Sequence, residues 1–191
     1  MNKLITSSIA ALAFAASAQA AIIDFDLLGR SGPGMRFDNE NVNSASGSGT
    51  GGEVGLGITY DDISNLLILN VGWGAGKGFT DLTGTVTAAH IHAAANNLFT
   101  TNGGVIVGLD GATPGFSSSP TNGGWTNTQV TLTAPQETQL LNGQLYLNAH
   151  TAANGGGEIR GNLVPAPVPE PATVGLLAIG ALAVSRRRRT A

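Results

Sequence analysis

The sequence Val54-Gly-Leu-Gly-Ile-Thr-Tyr60 decides the fold class, together with the turn Asp61-Asp-Ile-Ser-Asn65 and the run Leu67-Ile-Leu-Asn-Val-Gly-Trp73 that follow it. Apolar residues occupy every second position on both sides of the turn. Successive side chains of a β-strand point to opposite faces, so each half predicts a strand with one buried face. The polar turn between them predicts a β-hairpin.

Short strands of this kind recur along residues 21–164, separated by glycine-rich turns. Within this range only residues 134–141 are predicted to be helical, because Thr133 can cap the start, Pro135 lies in the first turn and Gly143 follows the end. The apolar segments near the two ends of the chain are expected to form further, terminal helices. Serial short strands favour an all-β domain, an antiparallel Greek-key sandwich or small barrel, over a βαβ sheet. The further strands are expected at residues 22–28, 82–92, 104–109, 126–132, 144–150 and 157–164.

Residues 1–20 have the pattern of a secretory signal peptide. Lys3 gives a basic start, residues 4–16 are apolar, and Ala18-Gln19-Ala20 provides small residues for cleavage. The apolar segment is too short for a membrane-spanning helix. We therefore expect cleavage near Ala20 and export of the remainder, with residues 21–164 as one domain.

The C-terminal residues form a second patterned segment. A stiff linker, residues 165–171, contains Pro169-Glu170-Pro171 and precedes an apolar run at residues 172–184. As a helix with ~1.5 Å per residue this run reaches about 20 Å, less than the ~30 Å hydrocarbon core, which favours transient over permanent anchoring in the inner membrane. The arginines that follow would stop on the cytoplasmic side of the membrane. They are Arg186, Arg187, Arg188 and Arg189.

This tail resembles the PEP-CTERM sorting tail of exported proteins of Gram-negative bacteria. The resemblance implies that an exosortase-type membrane protease recognises Pro169, Glu170 and Pro171 and removes the apolar segment and Arg-rich tail at residues 172–191. The protein would then remain at the cell surface or be secreted. Extracellular polysaccharide and surface proteins are the further partners that we expect there.

Charge and cysteine content narrow the function classes. Residues 21–165 contain eleven Asp and Glu but four Lys and Arg, a balance of about −7, which argues against nucleic acid as a partner. The chain contains no cysteine, so neither a disulfide framework nor a thiol nucleophile is available. Because Gly-x-Ser-x-Gly, a phosphate loop and paired carboxylates are also missing from the sequence, we assign no catalytic residues.

The three histidines of the chain all lie in predicted strands. His90 and His92 are two residues apart and therefore share one face, and His150 lies in a separate strand. Three imidazoles form a small ligand set for copper or zinc and leave one coordination position open. The alternative is that each histidine only hydrogen-bonds to neighbouring loops. A shared metal requires the three side-chain nitrogens to converge within roughly 3 to 4 Å.

The histidine segments resemble the CHRD domain, first named from chordin. The similarity is carried by Ala89-His90-Ile-His92, Gly104-Val-Ile-Val107, Gly143-Gln-Leu-Tyr146-Leu-Asn148-Ala-His150-Thr and Gly157-Glu158-Ile-Arg160-Gly161, and it covers about residues 53–164. It implies an extracellular domain without implying an activity. The family often has Gly-Pro after His-x-His, whereas this chain has Ala93-Ala-Ala95.

A further resemblance is to the copper side of Cu/Zn superoxide dismutases, and the expected sandwich is accordingly immunoglobulin-like or of that type. It implies His90, His92 and His150 as ligands, with Arg160 as an anion-guiding group and Asn148 as a support behind the metal. This chain lacks a fourth histidine and the cysteines of that family. Glu158 and Arg160, at i and i+2, also allow a partly buried ion pair that fixes their strand.

Three hypotheses follow for the function. The first is a non-catalytic structural or binding protein of the cell surface or the extracellular polysaccharide matrix. The second is a copper- or zinc-binding module, and the third is a redox enzyme that uses this metal.

Overall fold

The structure is a computed structural model that describes residues 21–37 and 49–167. Its single α-helix within these ranges, α1 (Ala134–Leu141), has the predicted bounds, and a 3-10 turn covers Ala75–Lys77. Eleven strands are described. They are β1 (Ile22–Gly29), β2 (Gly32–Pro33), β3 (Arg36–Phe37), β4 (Gly51–Asp61), β5 (Leu66–Trp73), β6 (Val86–Ala94), β7 (Gly103–Gly108), β8 (Phe116–Ser117), β9 (Gly123–Thr131), β10 (Leu145–Thr151) and β11 (Ile159–Pro165).

The strands form one curled antiparallel sheet, which confirms the all-β prediction. The sheet order is β7-β6-β10-β11-β1-β4-β5-β9-β8, with β2 paired to β1 and β3 paired to β11. The segment from residue 109 to residue 119, the closing segment, links the two ends of this half-barrel. There Phe116 pairs with Trp125 of β9, and Val86 of β6 donates its N–H to the carbonyl of Ser118 at 3.0 Å.

The predicted hairpin is present as β4 and β5, but its alternation is interrupted. The register shifts between Glu53 and Ile58, where Gly55 and Gly57 have φ of 59° and 70°, a left-handed backbone that glycine adopts without strain. Leu56 is consequently 89% exposed, although the sequence pattern predicts it on the same buried face as Ile58. A bulge therefore turns this apolar side chain out of the core.

Two buried tryptophans form the centre of the apolar core. The rings of Trp73 and Trp125 pack edge to face with centroids 5.0 Å apart. Each indole N–H donates to a carbonyl of the closing segment, Trp73 to Ser119 at 2.8 Å and Trp125 to Leu109 at 2.9 Å. Both tryptophans therefore join the core to the segment that connects the ends of the sheet.

The strand that carries His150 is buried on both faces. Leu145, Leu147 and Ala149 of β10 belong to the apolar core. The alternate residues Tyr146, Asn148 and His150 point to the opposite face and are also buried. This second face is polar, and it brings together the histidines of the two strands.

Some predictions fall on residues that the structure does not describe. The signal peptide and the apolar terminal helices, the Pro-Glu-Pro motif and the four arginines all lie outside the described residues. Within residues 21–37 and 49–167, no helix is sufficiently long and apolar to cross a bilayer. The strand expected at residues 82–92 begins later, at Val86, and Leu82 instead lies in a loop, where it donates its N–H to Pro120 at 3.1 Å.

Candidate metal centre

The three histidines meet on the polar face of β6 and β10. The antiparallel register places Asn148 opposite His90 and Tyr146 opposite His92, so all these side chains share one face with His150. One nitrogen from each histidine lies within 4.8 Å of the other two, and His90 Nδ1 lies 3.2 Å from His150 Nε2. The sheet thus brings together the three side chains that the sequence predicts as ligands.

Backbone carbonyls set the tautomers of two of these imidazoles. His92 Nδ1 donates to the carbonyl of Gly103, and His150 Nδ1 donates to the carbonyl of Gly155, both at 3.0 Å. A carbonyl can only accept, so in each neutral ring the proton is on Nδ1 and the lone pair is on Nε2. This arrangement, in which one ring nitrogen donates to the protein, is common for histidines that bind metals.

Burial keeps the same two rings neutral. Desolvation, which outweighs the opposing effect of the Gly103 carbonyl, lowers the pKa of His92 to about 4, with smaller contributions in the same direction from the nearby His90, His150 and Arg160. Desolvation likewise lowers the pKa of His150. Neutral imidazole is the form that binds a metal, so the site is suited to a cation near neutral pH.

The spacing of the nitrogens can be compared with that around a tetrahedral ion. Ligands at 2.0–2.1 Å from zinc are about 3.3 Å from one another. The His90–His150 pair, at 3.2 Å, agrees with this value, whereas the full set extends to 4.8 Å. The expected convergence within 3 to 4 Å thus holds for this pair, and binding by all three requires the longest separation to shorten by about 1.5 Å.

Tyr146 is part of the site, although the sequence alone suggests only a core residue. Its ring stacks on His92 with centroids 4.8 Å apart and planes 11° from parallel. Its hydroxyl accepts from the N–H of Gly103 at 3.1 Å and lies 3.4 Å from the carbonyl that also receives His92 Nδ1. Its position in the alternating series with Asn148 and His150 is the sequence signal that could have identified it.

Arg160 lies on the far side of β10 from the histidine pair of β6. Its guanidinium carbon is 3.6 Å from the centre of the Tyr146 ring, a cation–π contact. Its nitrogens donate to Asn162 Oδ1 at 3.3 Å, to Asn102 Oδ1 at 3.3 Å and to the carbonyl of Thr101 at 3.0 Å. Arg160 therefore supports the face that holds His92 and ties β11 to the loop before β7.

Asn148 lies between the histidines and Arg160. The register pairs it with His90 of β6 on one side and with Arg160 of β11 on the other. The side chain is fully buried, and neither amide atom has a hydrogen-bond partner among the residues that the structure describes. Each unsatisfied buried group costs about 1–3 kcal/mol, so this amide is an unusual component of a stable fold.

Comparison with known protein families matches residues 39–163, more than half of the chain, to the CHRD domain. The chain belongs to the CHRD family. Residues 167–189 match the PEP-CTERM protein-sorting motif, which contains Pro169, Glu170 and Pro171 and the four arginines. No curated protein and no solved structure matches the chain. A CHRD domain followed by this motif indicates an exported protein that an exosortase-type membrane enzyme processes.

The Gly-Glu-Ile-Arg-Gly segment of the CHRD domain anchors the loop beside His150. Both oxygens of Glu158 accept from neutral donors: the N–H of Thr83 at 2.7 Å, the Thr83 hydroxyl at 2.5 Å, the Thr151 hydroxyl at 2.6 Å and Asn154 Nδ2 at 3.2 Å. The prediction of an ion pair between Glu158 and Arg160 is wrong, because every contact that the carboxylate makes within the described part of the chain goes to these neutral groups. Glu158 instead fixes the loop whose Gly155 carbonyl orients His150.

Proposed function

We propose that this CHRD protein has a non-catalytic structural or binding role at the cell surface or in an extracellular polysaccharide matrix. The main support for this proposal is that the sorting motif follows the CHRD domain in the sequence without overlapping it. Among the residues that the structure describes, the last backbone hydrogen bond of the sheet runs from Ala166 N–H to the Asp24 carbonyl at 2.9 Å, and the motif begins at residue 167. Cleavage behind Pro171 would therefore leave the domain intact.

The tail itself supports a transient anchor in a Gram-negative inner membrane. Its apolar run at residues 172–184 is shorter than a typical spanning helix, and four arginines follow within residues 186–189. The arginines would keep the end of the chain in the cytoplasm while the domain crosses. Removal of the tail then frees the domain from the membrane.

The test is expression of the full chain, with an internal epitope tag at the exposed Ile63, in a Gram-negative host with and without an exosortase-type protease. We expect a shorter protein on the cell surface or in the extracellular matrix only when the protease is present. The double variant Pro169→Ala, Pro171→Ala should stay at full length in the inner membrane. Arg30→Ala, which changes an exposed residue far from the tail in sequence, serves as the control and should be processed normally. An uncleaved wild-type tail, or protein confined to the cytoplasm, contradicts the proposal.

A second function is supported by the histidine geometry: copper or zinc binding through His90, His92 and His150. Because Nδ1 of His92 and Nδ1 of His150 each donate to a carbonyl, the lone pair of each ring lies on Nε2, where it can bind a metal. The distance between His90 Nδ1 and His150 Nε2 agrees with ligation of a common ion. Three neutral imidazoles suit both metals. Asn148 and Arg160 would support the ligands from β10 and β11.

This second function is tested by elemental analysis and by thermal unfolding with added Cu(II) or Zn(II). We expect one ion per chain and a stabilisation of about 2.7 kcal/mol at a free metal concentration of about 100 times Kd. His92→Ala should lose most of this stabilisation. Asp62→Asn, which changes an exposed carboxylate, should retain it. Wild-type protein that takes up neither ion excludes the metal function.

A further inference from the structure

Asn148 has a buried amide that the fold itself does not use. Both of its side-chain polar atoms lack partners within the described part of the chain, and the residue has no exposed surface. Buried amides normally find a protein group or an ordered molecule with which to hydrogen-bond. The unsatisfied amide therefore indicates that a small polar molecule or ion binds next to it and forms the missing hydrogen bonds.

The position of Asn148 identifies where this group would lie. It is directly opposite His90 across the β6–β10 pair and two residues from His150 on the same face of β10. Directly opposed residues have Cβ atoms about 4.5–5.5 Å apart, so an amide here can reach a molecule bound next to the imidazoles. The buried amide and the three histidines thus belong to one local site.

The loop above Asn148 is shaped around this side chain. Gly157 has φ of +108°, and a Cβ at that residue would lie 2.3 Å from Asn148 Oδ1 and 2.5 Å from Nδ2. Any other residue at 157 would displace the amide or the loop. Because Gly157 has no Cβ, the Asn148 side chain fits below the same loop whose Gly155 carbonyl orients His150.

We propose that the metal held by His90, His92 and His150 binds a small exchangeable ligand in its fourth position and that Asn148 hydrogen-bonds this ligand. The inference rests on the metal-binding function proposed above. Three imidazoles leave a tetrahedral ion one open position, and because they are neutral they leave its charge of +2 uncompensated. A primary amide can donate to an anion or to hydroxide and can accept from water. The fourth ligand is therefore water, hydroxide or a small monovalent anion.

His90 provides the route of exchange. It is the most exposed of the three ligands, whereas His92 and His150 are 4% and 8% exposed. A small ligand would enter on the His90 side, where its pairing partner on β10 is Asn148. The site would then bind small anions and exclude large ones, because the other two ligands, His92 and His150, are buried.

The test uses the full chain loaded with Cu(II) and titrated with azide, followed by the azide-to-copper absorption band and by electron paramagnetic resonance. Copper content is measured first for every variant. Asn148→Leu, which keeps the approximate size of the side chain and removes its polar atoms, should retain one copper per chain. Its azide Kd should rise about tenfold, the factor for one lost hydrogen bond. Asn148→Ala, which adds no bulk, should show the same rise and serves if the leucine variant does not fold.

Asn70→Leu is the matched control, because Asn70 is a half-buried amide on β5 whose side chain contacts Gly57 and Asn127 rather than a histidine or Arg160. Its azide Kd should equal that of the wild type. If the Asn148 variants bind copper and azide as the wild type does, the assignment of Asn148 is overturned while the metal function stands. If the wild type takes up neither copper nor zinc, the metal function fails and this inference fails with it.

Discussion

Replacement of Glu158 by glutamine tests whether the buried carboxylate stabilises the loop next to the histidines. The carboxylate accepts four hydrogen bonds, all from neutral donors of Thr83, Thr151 and Asn154. In Glu158→Gln one oxygen becomes an NH₂ group. The remaining oxygen can still accept from the Thr83 N–H, but the new NH₂ group faces the two hydroxyls and the amide of Asn154.

The size of the effect follows from these contacts. The hydroxyls can rotate to accept from the NH₂ group, so their bonds weaken from charge-assisted to neutral, a loss of about 1 kcal/mol each. Asn154 Nδ2 cannot accept and loses its bond, which costs about 1 kcal/mol more. The total is about 3 kcal/mol, equivalent to a melting temperature about 10 °C lower for a domain of this size.

Thermal unfolding followed by circular dichroism measures this change in the metal-free protein. Asp62→Asn is the control for the same chemical change on an exposed carboxylate, and it should shift the melting temperature by less than ~2 °C. A shift of Glu158→Gln as small as that of the control refutes the reasoning. It would mean that the four contacts do not stabilise the folded state.

Three further predictions concern the site and the core. Because burial lowers the pKa of His92 to about 4, the metal-free protein keeps its full stability above about pH 6.5 and loses up to about 3 kcal/mol as the pH falls through 4. Equal urea midpoints at neutral pH and at about pH 4 would contradict this. Tyr146→Phe removes the hydroxyl contacts to Gly103 and should weaken metal binding about 10- to 100-fold, while the stack on His92 remains. Isothermal titration with Zn(II) measures this change, and an unchanged Kd counts against the role of the hydroxyl. Leu56→Ser should alter the free energy of unfolding by less than about 0.5 kcal/mol, whereas Ile58→Ala should lower it by about 2–5 kcal/mol, because Leu56 is exposed at the bulge and Ile58 is buried. Similar losses for both variants would contradict the observed register.

Local sequence signals predicted the helix and the strands well. Thr133, Pro135 and Gly143 define α1 because capping, proline and glycine preferences depend on neighbouring residues alone. The alternation of apolar residues wrongly predicts that Leu56 is buried, because a period of two residues holds only along an uninterrupted strand. Two glycines with a left-handed backbone conformation insert a bulge there. The sequence contains those glycines, but it does not indicate that both adopt positive φ.

The sequence predicts which three histidines form the cluster, but it does not predict the groups that contact them. The resemblance to CHRD proteins and the two-residue spacing were sufficient to select His90, His92 and His150. The carbonyls of Gly103 and Gly155 could not be predicted, because they come from loops whose course depends on the whole sheet. For the same reason the contacts of Arg160 with Tyr146 and with the carbonyl of Thr101 could not be predicted, while its anion-guiding role stays a prediction.

The position of β11 in the sheet has a consequence for export. It is the last described strand in the chain order, yet it lies between β10 and β1 and joins the two halves of the sheet. Until residues 159–165 have crossed the membrane, β1 lacks this neighbour and β10 has one exposed edge. The two halves of the sheet therefore cannot be joined before residues 159–165 are available, which places completion of the fold late in export.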